Sequence, residues 1–363
     1  MDLAIAVADL LSPPAAPILS VCVPTHHGRA REVGELIDRL TEQIGPELEG
    51  RIELCVSDGA SFDDTQMVVE RARERTGLVV RYRRDEQDRG FKANQLDSVA
   101  MASAPYCWLM SSDDAPAPGS LSRILAILEA NPGVAGVSFG FEVMAKDLDE
   151  VVESNAHDVI LPPQPERSRR LEDRADVVKE LGLLFISLST HVVDRGTWLA
   201  ALRLRDERRR GPVQSISPHI QVLGAMLEVK PAWVWSGDRL LLMRTANDSW
   251  CASKFDNEMA RYWCTFLPSL EKIYAEICGR WSRAYFANMA GLQRMAMGPG
   301  ELMVLKMQDD PPPSLRRDAA MLLTFGRLFW FDPRFWRRSL PVLLTPHTVA
   351  PKAVPKLRRF MRV

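Results

Sequence analysis

Two adjacent carboxylates, Asp113 and Asp114, follow an apolar run that begins at Tyr106. Such a run reads as a buried strand, and its end delivers both side chains to the carboxyl edge of a sheet. Ligands of open α/β sheets bind outside that edge. Paired carboxylates there suit a hard divalent cation, which can in turn hold the phosphates of a nucleotide. The competing reading is a loop whose aspartates cap the next helix. Three more polar segments end apolar runs upstream. They are Pro24-Thr25-His26-His27-Gly28-Arg29, then Ser57-Asp58-Gly59 continuing to Thr65, then Asp88-Arg89-Gly90-Phe91-Lys92-Ala93-Asn94. Ser111-Ser112-Asp113-Asp114 is the fourth.

These segments need a frame that brings them to one edge. Apolar, β-branched runs at 18–24, 51–56, 78–82 and 106–110 read as strands. Between them lie helical patterns. Val33, Leu36, Ile37 and Leu40 mark a helix over 31–43; Asp63 and Asp64 can cap a second that ends near 75. Residues 91–102 and 118–130 supply two more. Alternation of this kind gives βαβ units and a mostly parallel sheet. Downstream, 134–143 reads as a strand, 146–170 as a polar excursion and 181–204 as a further unit. The basic run 203–210 reads as a loop, 213–229 as a helix and 232–243 as a late strand or hairpin. From about Phe255 the pattern turns helical and aromatic, with helices at 261–279, 281–297 and after Pro311-Pro312-Pro313, so the boundary falls near 250. The expected organisation is an N-terminal extension (1–17), an α/β domain (18–250) and a helical C-terminal region with a basic tail (251–363).

The chain has 363 residues, 46% hydrophobic and 26% charged, with a net charge of -1. That composition belongs to an ordinary globular protein and leaves room for a large core. The charge is uneven. Residues 311–363 hold eleven Lys or Arg against two acids, so the rest sums to -10. Such a tail suits an acidic partner, such as an anionic membrane surface, or forms a solvated helical face. None of the six cysteines forms a CxxC pair, and Cys22, Cys55 and Cys107 sit inside strand-like runs. They read as reduced core residues of a cytoplasmic protein. No run reaches the roughly 18 apolar residues of a membrane-spanning helix.

In order and spacing, the four polar segments resemble those of the family-2 glycosyltransferases with the GT-A fold, closest to the abequosyltransferase-like branch. The similarity covers about residues 18–142 well and 185–243 weakly. It implies a Rossmann-like nucleotide-diphospho-sugar transferase domain followed by the helical extension. It also implies a nucleoside-diphosphate sugar donor and a Mg²⁺ or Mn²⁺ cofactor. By the same resemblance Asp58 reads the base or ribose, and Pro24 and Thr25 line the nucleotide. Asn94 closes the third segment, and Lys92 and Arg29 can face phosphate. Asp113 meets ribose or sugar, and Asp114 holds the metal. Departures fall where the base is read: His27 and Gly59 replace asparagines, and Asp88 begins the third segment in place of another. Ser112 stands where the family's acidic triplet has its first carboxylate.

The resemblance further implies single displacement with inversion, in which an acceptor hydroxyl attacks the anomeric carbon and a general base takes its proton. His219, at a helix start, stands where the family has a carboxylate. An unperturbed imidazole suits base work near neutral pH. Asp194 is the reserve candidate and His191 a third. The implied acceptor is a hydroxyl of a glycan or lipid-linked glycan in bacterial surface-polysaccharide assembly. That places the enzyme in the cytoplasm, with contact at the inner membrane face through the basic tail, and without nucleic acid. Two rivals stand beside this reading. A sugar nucleotidyltransferase needs a glycine-rich loop after the first strand, where Gly28 is the only glycine. A degenerate relative kept as a nucleotide-sugar-binding or scaffold subunit would explain Ser112.

Overall fold

The computed structural model describes residues 16–75, 78–152, 160–162, 168–208, 217–244, 250–296, 302 and 314–349. The N-terminal extension to residue 15, the end of the basic run at 209 and 210, and the tail beyond 349 lie outside the described residues.

The first half alternates as the apolar spacing requires. Strand β1 is Leu19–Thr25, helix α1 Ala30–Thr41, β2 Ile52–Asp58, α2 Thr65–Arg75, β3 Val79–Arg84, α3 Gly90–Ala100 and β4 Tyr106–Leu109. β1 and β2 are buried at every position, so they read as continuous apolar runs rather than alternating ones. α1 turns Val33, Leu36, Ile37 and Leu40 onto the sheet. The register sets the site: Thr25 pairs with Asp58, Asp58 with Arg84, and Cys22 with Leu109. The ends of β1, β2 and β3 therefore stop at one level, and the chain after β4, which ends three residues earlier, runs on to the same edge, where Asp113 lies 3.8 Å from Arg29.

Beyond β4 the sheet departs from the parallel pattern. β5 (Ala115–Pro116), α4 (Ser120–Ala130), β6 (Gly136–Met144) and β7 (Arg169–Leu171) precede α5 (Arg174–Leu181). Two short 3₁₀ turns, Leu184–Ile186 and Leu188–Thr190, lead into β8 (His191–Asp194) and α6 (Arg195–Glu207). α7 (Pro218–Val229) and β9 (Trp233–Arg244) follow. The sheet order is β3-β2-β1-β4-β8-β6-β9-β5, with β7 on β9. β8 runs antiparallel to both β4 and β6, so the sheet is mixed. The 181–204 unit reaches β8 through two tight turns rather than a crossover helix, which lets the strand enter from the other direction. β9 is one long strand, with register shifts against β6 on either side of Gly140.

The C-terminal region is helical: α8 (Trp250–Cys278), α9 (Arg283–Ala296), α10 (Leu315–Phe329) and α11 (Leu340–Leu344). These helices extend the apolar core of the sheet domain. Phe266, Leu270, Ile273 and Tyr274 of α8 are buried in the same cluster as Val222 and Met226 of α7. Tyr274 donates its hydroxyl to Gly182 O at 2.7 Å. Among the described residues no helix is long and apolar enough to cross a membrane.

Candidate functional site

The carboxyl edge of β1, β2 and β4 gathers the polar segments into one knot. Gly59 N donates to Thr25 O at 2.9 Å, and Asn94 Nδ2 donates to the same carbonyl at 2.5 Å. A Cβ on Gly59 would come 3.3 Å from Asn94 Nδ2, 3.4 Å from Asp88 Oδ1 and 3.5 Å from the Thr25 carbonyl, so an asparagine here would crowd the Asn94 amide. Asp63 clasps the first segment to the second. One of its oxygens accepts from Gly28 N at 2.6 Å and the other from Thr65 N at 3.0 Å. Burial pushes the Asp63 carboxyl up, but these bonds and His27 outweigh it and hold it below the ordinary range. His27 stacks on Phe62 with ring centroids 3.3 Å apart, and Phe62 is exposed.

Asp58 serves the fold. It is fully buried; Oδ1 accepts from Ser61 N at 2.9 Å and Oδ2 from the Tyr82 hydroxyl at 2.6 Å. Each oxygen has one protein donor, which leaves further acceptor capacity on the carboxylate for the base or ribose contact implied by resemblance. Lys92 lies in the first turn of α3, half-buried, and makes no ion pair with a described residue.

Around this knot lie buried polar atoms without partners. They are Thr25 Oγ1, Arg29 Nη1, Asn94 Oδ1 and both amide heteroatoms of Gln95. Buried polar groups in folded proteins are normally hydrogen-bonded, and exceptions call for an account such as a missing ligand. Arg29 is 2% exposed and holds its guanidinium 3.8 Å from Asp113 Oδ2. Gln95 escaped the sequence reading because a lone polar residue beside Asn94 on a helix looks like surface.

The acidic pair divides its labour. Asp113 keeps 14% of its side chain exposed, while Asp114 is turned inward. Ser189 donates its hydroxyl to Asp114 Oδ2 at 2.6 Å, and Arg244 N donates to Oδ1 at 3.2 Å. Burial, then the neighbouring Asp113 charge, raise the Asp114 carboxyl to about 7 against the pull of Ser189 and Arg244. Arg244 is itself buried. Nε donates to Asp113 O at 2.8 Å, Nη1 to Lys146 O, and Nη2 to Glu35 Oε2 at 2.6 Å. Three chain segments are thus tied to the acidic loop by one side chain. Ser112 is buried beside it.

Mg²⁺ and Mn²⁺ take one or two protein carboxylates and fill their shells with water and phosphate oxygens. Among the described residues no three His, Cys, Asp or Glu side chains converge as a cage. Asp113, flanked by the Ser111 hydroxyl that donates to it, fits a cation that draws most ligands from a bound diphosphate. Asp114 fits less well than the resemblance implies, because both of its oxygens already accept hydrogen bonds.

The base candidates separate cleanly. His219 begins α7 and is 3% exposed; Nε2 lies 3.2 Å from Ile186 O. A carbonyl accepts only, so Nε2 carries the proton and Nδ1 keeps the lone pair. That Nδ1 is buried with no partner. Burial lowers the ring to about 4, against the carbonyls of Ile186 and Phe185. His191 is locked between Ser138 Oγ at 2.8 Å and Thr190 Oγ1 and Leu184 O. Burial, then His219, lower its pKa to about 3. Asp194 must be dropped. β8 is antiparallel, so Asp194 pairs with Tyr106, the first residue of β4. At ~3.3 Å per residue that is roughly 13 Å back along the strand from the loops. Its carboxylate caps α6 through Thr197 N at 2.8 Å.

The layout has a counterpart in known proteins. Residues 20–191 match the sequence profile of Glycosyl transferase family 2, which spans the four segments and the acidic pair. The similarity to that family covers 172 of the 363 residues. Abequosyltransferase RfbV of Salmonella typhimurium is 33% identical over 117 residues, 32% of this chain and 34% of its own length. The aligned stretch therefore spans about a third of that relative. The structure of S. aureus TarS residues 1–349 superposes with a TM-score of 0.60 at 13% identity, covering 93% of this chain and 91% of that one. The same protein with UDP-GlcNAc gives 0.60 at 14% identity, covering 93% and 92%. This likeness is one of fold alone, and it extends through β9 and into the C-terminal helices.

Proposed function

We propose that this chain is an inverting glycosyltransferase that moves a sugar from a nucleoside-diphosphate sugar to a hydroxyl of a glycan or lipid-linked glycan acceptor. The observation that carries this reading is the set of buried, partnerless polar atoms at the carboxyl edge. Thr25 Oγ1, Asn94 Oδ1 and Gln95 offer hydrogen bonds to a nucleoside, and Arg29 Nη1 offers charge to a phosphate. Charge-assisted bonds from a buried guanidinium are among the stronger ones available to a diphosphate. Pro24 is the buried neighbour of Thr25 at the end of β1, His27 is exposed just beyond it, and Lys92 lies in the first turn of α3.

A divalent cation beside Asp113 would neutralise the departing diphosphate. The chain's own part is positional. Arg244 and Ser189 fix the acidic loop, so Asp113 meets the donor in one orientation. His219 is neutral above about pH 4 and holds Nδ1 as the proton acceptor for the attacking hydroxyl. Its Nε2 bond to Ile186 O sets the tautomer.

Release of nucleoside diphosphate from UDP-, GDP-, CDP- and TDP-sugars, with a surface-glycan acceptor fraction and Mn²⁺, tests the proposal. Turnover that disappears in Asp113→Ala and falls sharply in His219→Gln supports it. Donor binding with no turnover under any condition favours the second reading, a nucleotide-sugar-binding or scaffold subunit. The specific observation behind that reading is the inward-turned Asp114.

A further inference from the structure

The C-terminal helices carry a surface that sugar transfer does not use. Trp281, in the turn between α8 and α9, is 55% exposed, Trp330 at the end of α10 53%, and Trp336 52%. They form one patch. The Trp281 and Trp330 ring centroids are 6.5 Å apart, and Phe286 packs on Trp281 at 5.9 Å and on Phe331 at 4.8 Å. Trp336 Nε1 donates to Trp330 O at 2.6 Å, which joins the third indole to the second. Trp281 has φ 70°, a left-handed conformation that a bulky side chain rarely adopts. Strain of this sort persists where the surroundings enforce it and marks functional positions. Leu323 and Leu344, also exposed, lie on the neighbouring helices.

The charge around the patch has one sign. Among the described residues from 279 to 349, every exposed charged side chain is an arginine, and the two acids, Asp318 and Asp332, are buried. Arg280 adjoins Trp281, Arg327 lies on α10, and Arg334, Arg337 and Arg338 flank Trp336. Burial and the neighbouring Arg334 lower the Arg294 guanidinium, so like charges stand close here. Indole rings sit well at the headgroup level of a bilayer, and arginines beside them are drawn to anionic lipid. A second copy of the chain would set arginine against arginine across a two-fold interface. An anionic lipid surface neutralises them.

We infer that the Trp281–Trp330–Trp336 patch and its arginine rim form an interfacial docking surface for an anionic lipid bilayer. The chain lies on the membrane through this face rather than crossing it. The inference rests on residues distinct from the tail beyond 349 and stands independently of the donor site.

Co-sedimentation of the full chain with phosphatidylcholine vesicles, with and without about one-third phosphatidylglycerol, tests it. Binding to the anionic vesicles, weakened by raised salt, is the expected result. Trp330→Ala/Trp336→Ala should weaken it at least tenfold, and Arg337→Glu/Arg338→Glu should do so mainly at low salt. Thermal melts and elution volumes confirm that each variant is folded. Absence of binding by the wild-type chain, or equal binding by both variants, overturns the inference. A concentration-dependent dimer lost in the same variants, with no vesicle binding, also overturns it and assigns the face to a second copy.

Discussion

The Ser189 hydroxyl donates to Asp114 Oδ2 at 2.6 Å and accepts the Ser111 amide at 2.9 Å. A single side chain from the turn before β8 therefore fixes both ends of the acidic loop after β4. Ile186, on the turn just before, holds His219. The loop that faces the donor and the imidazole proposed as base are thus positioned by one short segment, residues 184–190.

Ser189→Ala leaves a buried carboxylate and a half-buried amide each short of a partner. Such a loss costs about 1–3 kcal/mol. Urea unfolding should show a drop of that size, and turnover should fall with it. Unchanged stability would mean that water or Arg244 replaces the hydroxyl without cost.

Arg29→Ala separates binding from folding. Its Nη1 makes no hydrogen bond to the protein and pairs only loosely with Glu32 at 3.9 Å, so the substitution is read by affinity and by a thermal melt together. Nucleoside diphosphate affinity should weaken about tenfold or more, since a charge-assisted bond to a phosphate is lost. Titration calorimetry reads this directly. A stability loss with intact affinity would make Arg29 a structural partner of Asp113 alone.

His219→Gln should reduce kcat about 100-fold while donor binding persists. The ring's folded pKa of about 4 lies below the ordinary 6.5. The base form is therefore present throughout pH 5 to 8, and the acid limb of wild-type activity should lie near pH 4. Stability has the matching sign. The unfolded chain binds this proton more readily, so wild-type stability gains with pH between about 4 and 6.5. His219→Gln should remove that part of the slope. A wild-type activity limb near 6.5 would contradict the buried, neutral ring.

Glu53 gives a second pH signature, on the structural side of the sheet. It is fully buried; burial favours a raised pKa, but Ser103 N, Ser20, Arg81 and Ser103 Oγ outweigh that and hold it at about 2. A depressed carboxyl stabilises the fold above its unfolded value near 4.5, and the contribution fades as pH falls toward 2. Glu53→Gln should lower the Tm at pH 7 and flatten the acid decline between pH 4.5 and 2. Melts across that range decide it.

The strands β1, β2 and β4 were legible because their burial on both faces leaves plain apolar runs, and the exposed edge strand β3 because of its β-branched start. The four loops were legible because register aligns the ends of β1, β2 and β3 and the chain after β4 runs on to the same edge. Strand direction was not. Nothing in His191–Asp194 announces an antiparallel strand, and that direction alone carried Asp194 to the wrong edge and left it capping a helix. The partners of Asp58 were hidden for a related reason: Ser61 and Tyr82 are brought to it by a turn and a neighbouring strand that spacing does not specify. Ser189, Gln95 and Arg244 act through contacts more than 65 residues away in sequence or through unmet valences, neither of which a local pattern records.

The central claim is a nucleotide-sugar site at the carboxyl edge of β1, β2 and β4. A thermal-shift panel of UDP, GDP, CDP and TDP, each with and without Mn²⁺, tests it most directly, because a ligand of the native state raises the Tm by mass action. The account predicts that one nucleotide raises the Tm clearly, more so with the cation, and that the shift is lost in Arg29→Ala and Asp113→Ala. No shift with any nucleotide, or a shift that survives both substitutions, would contradict it.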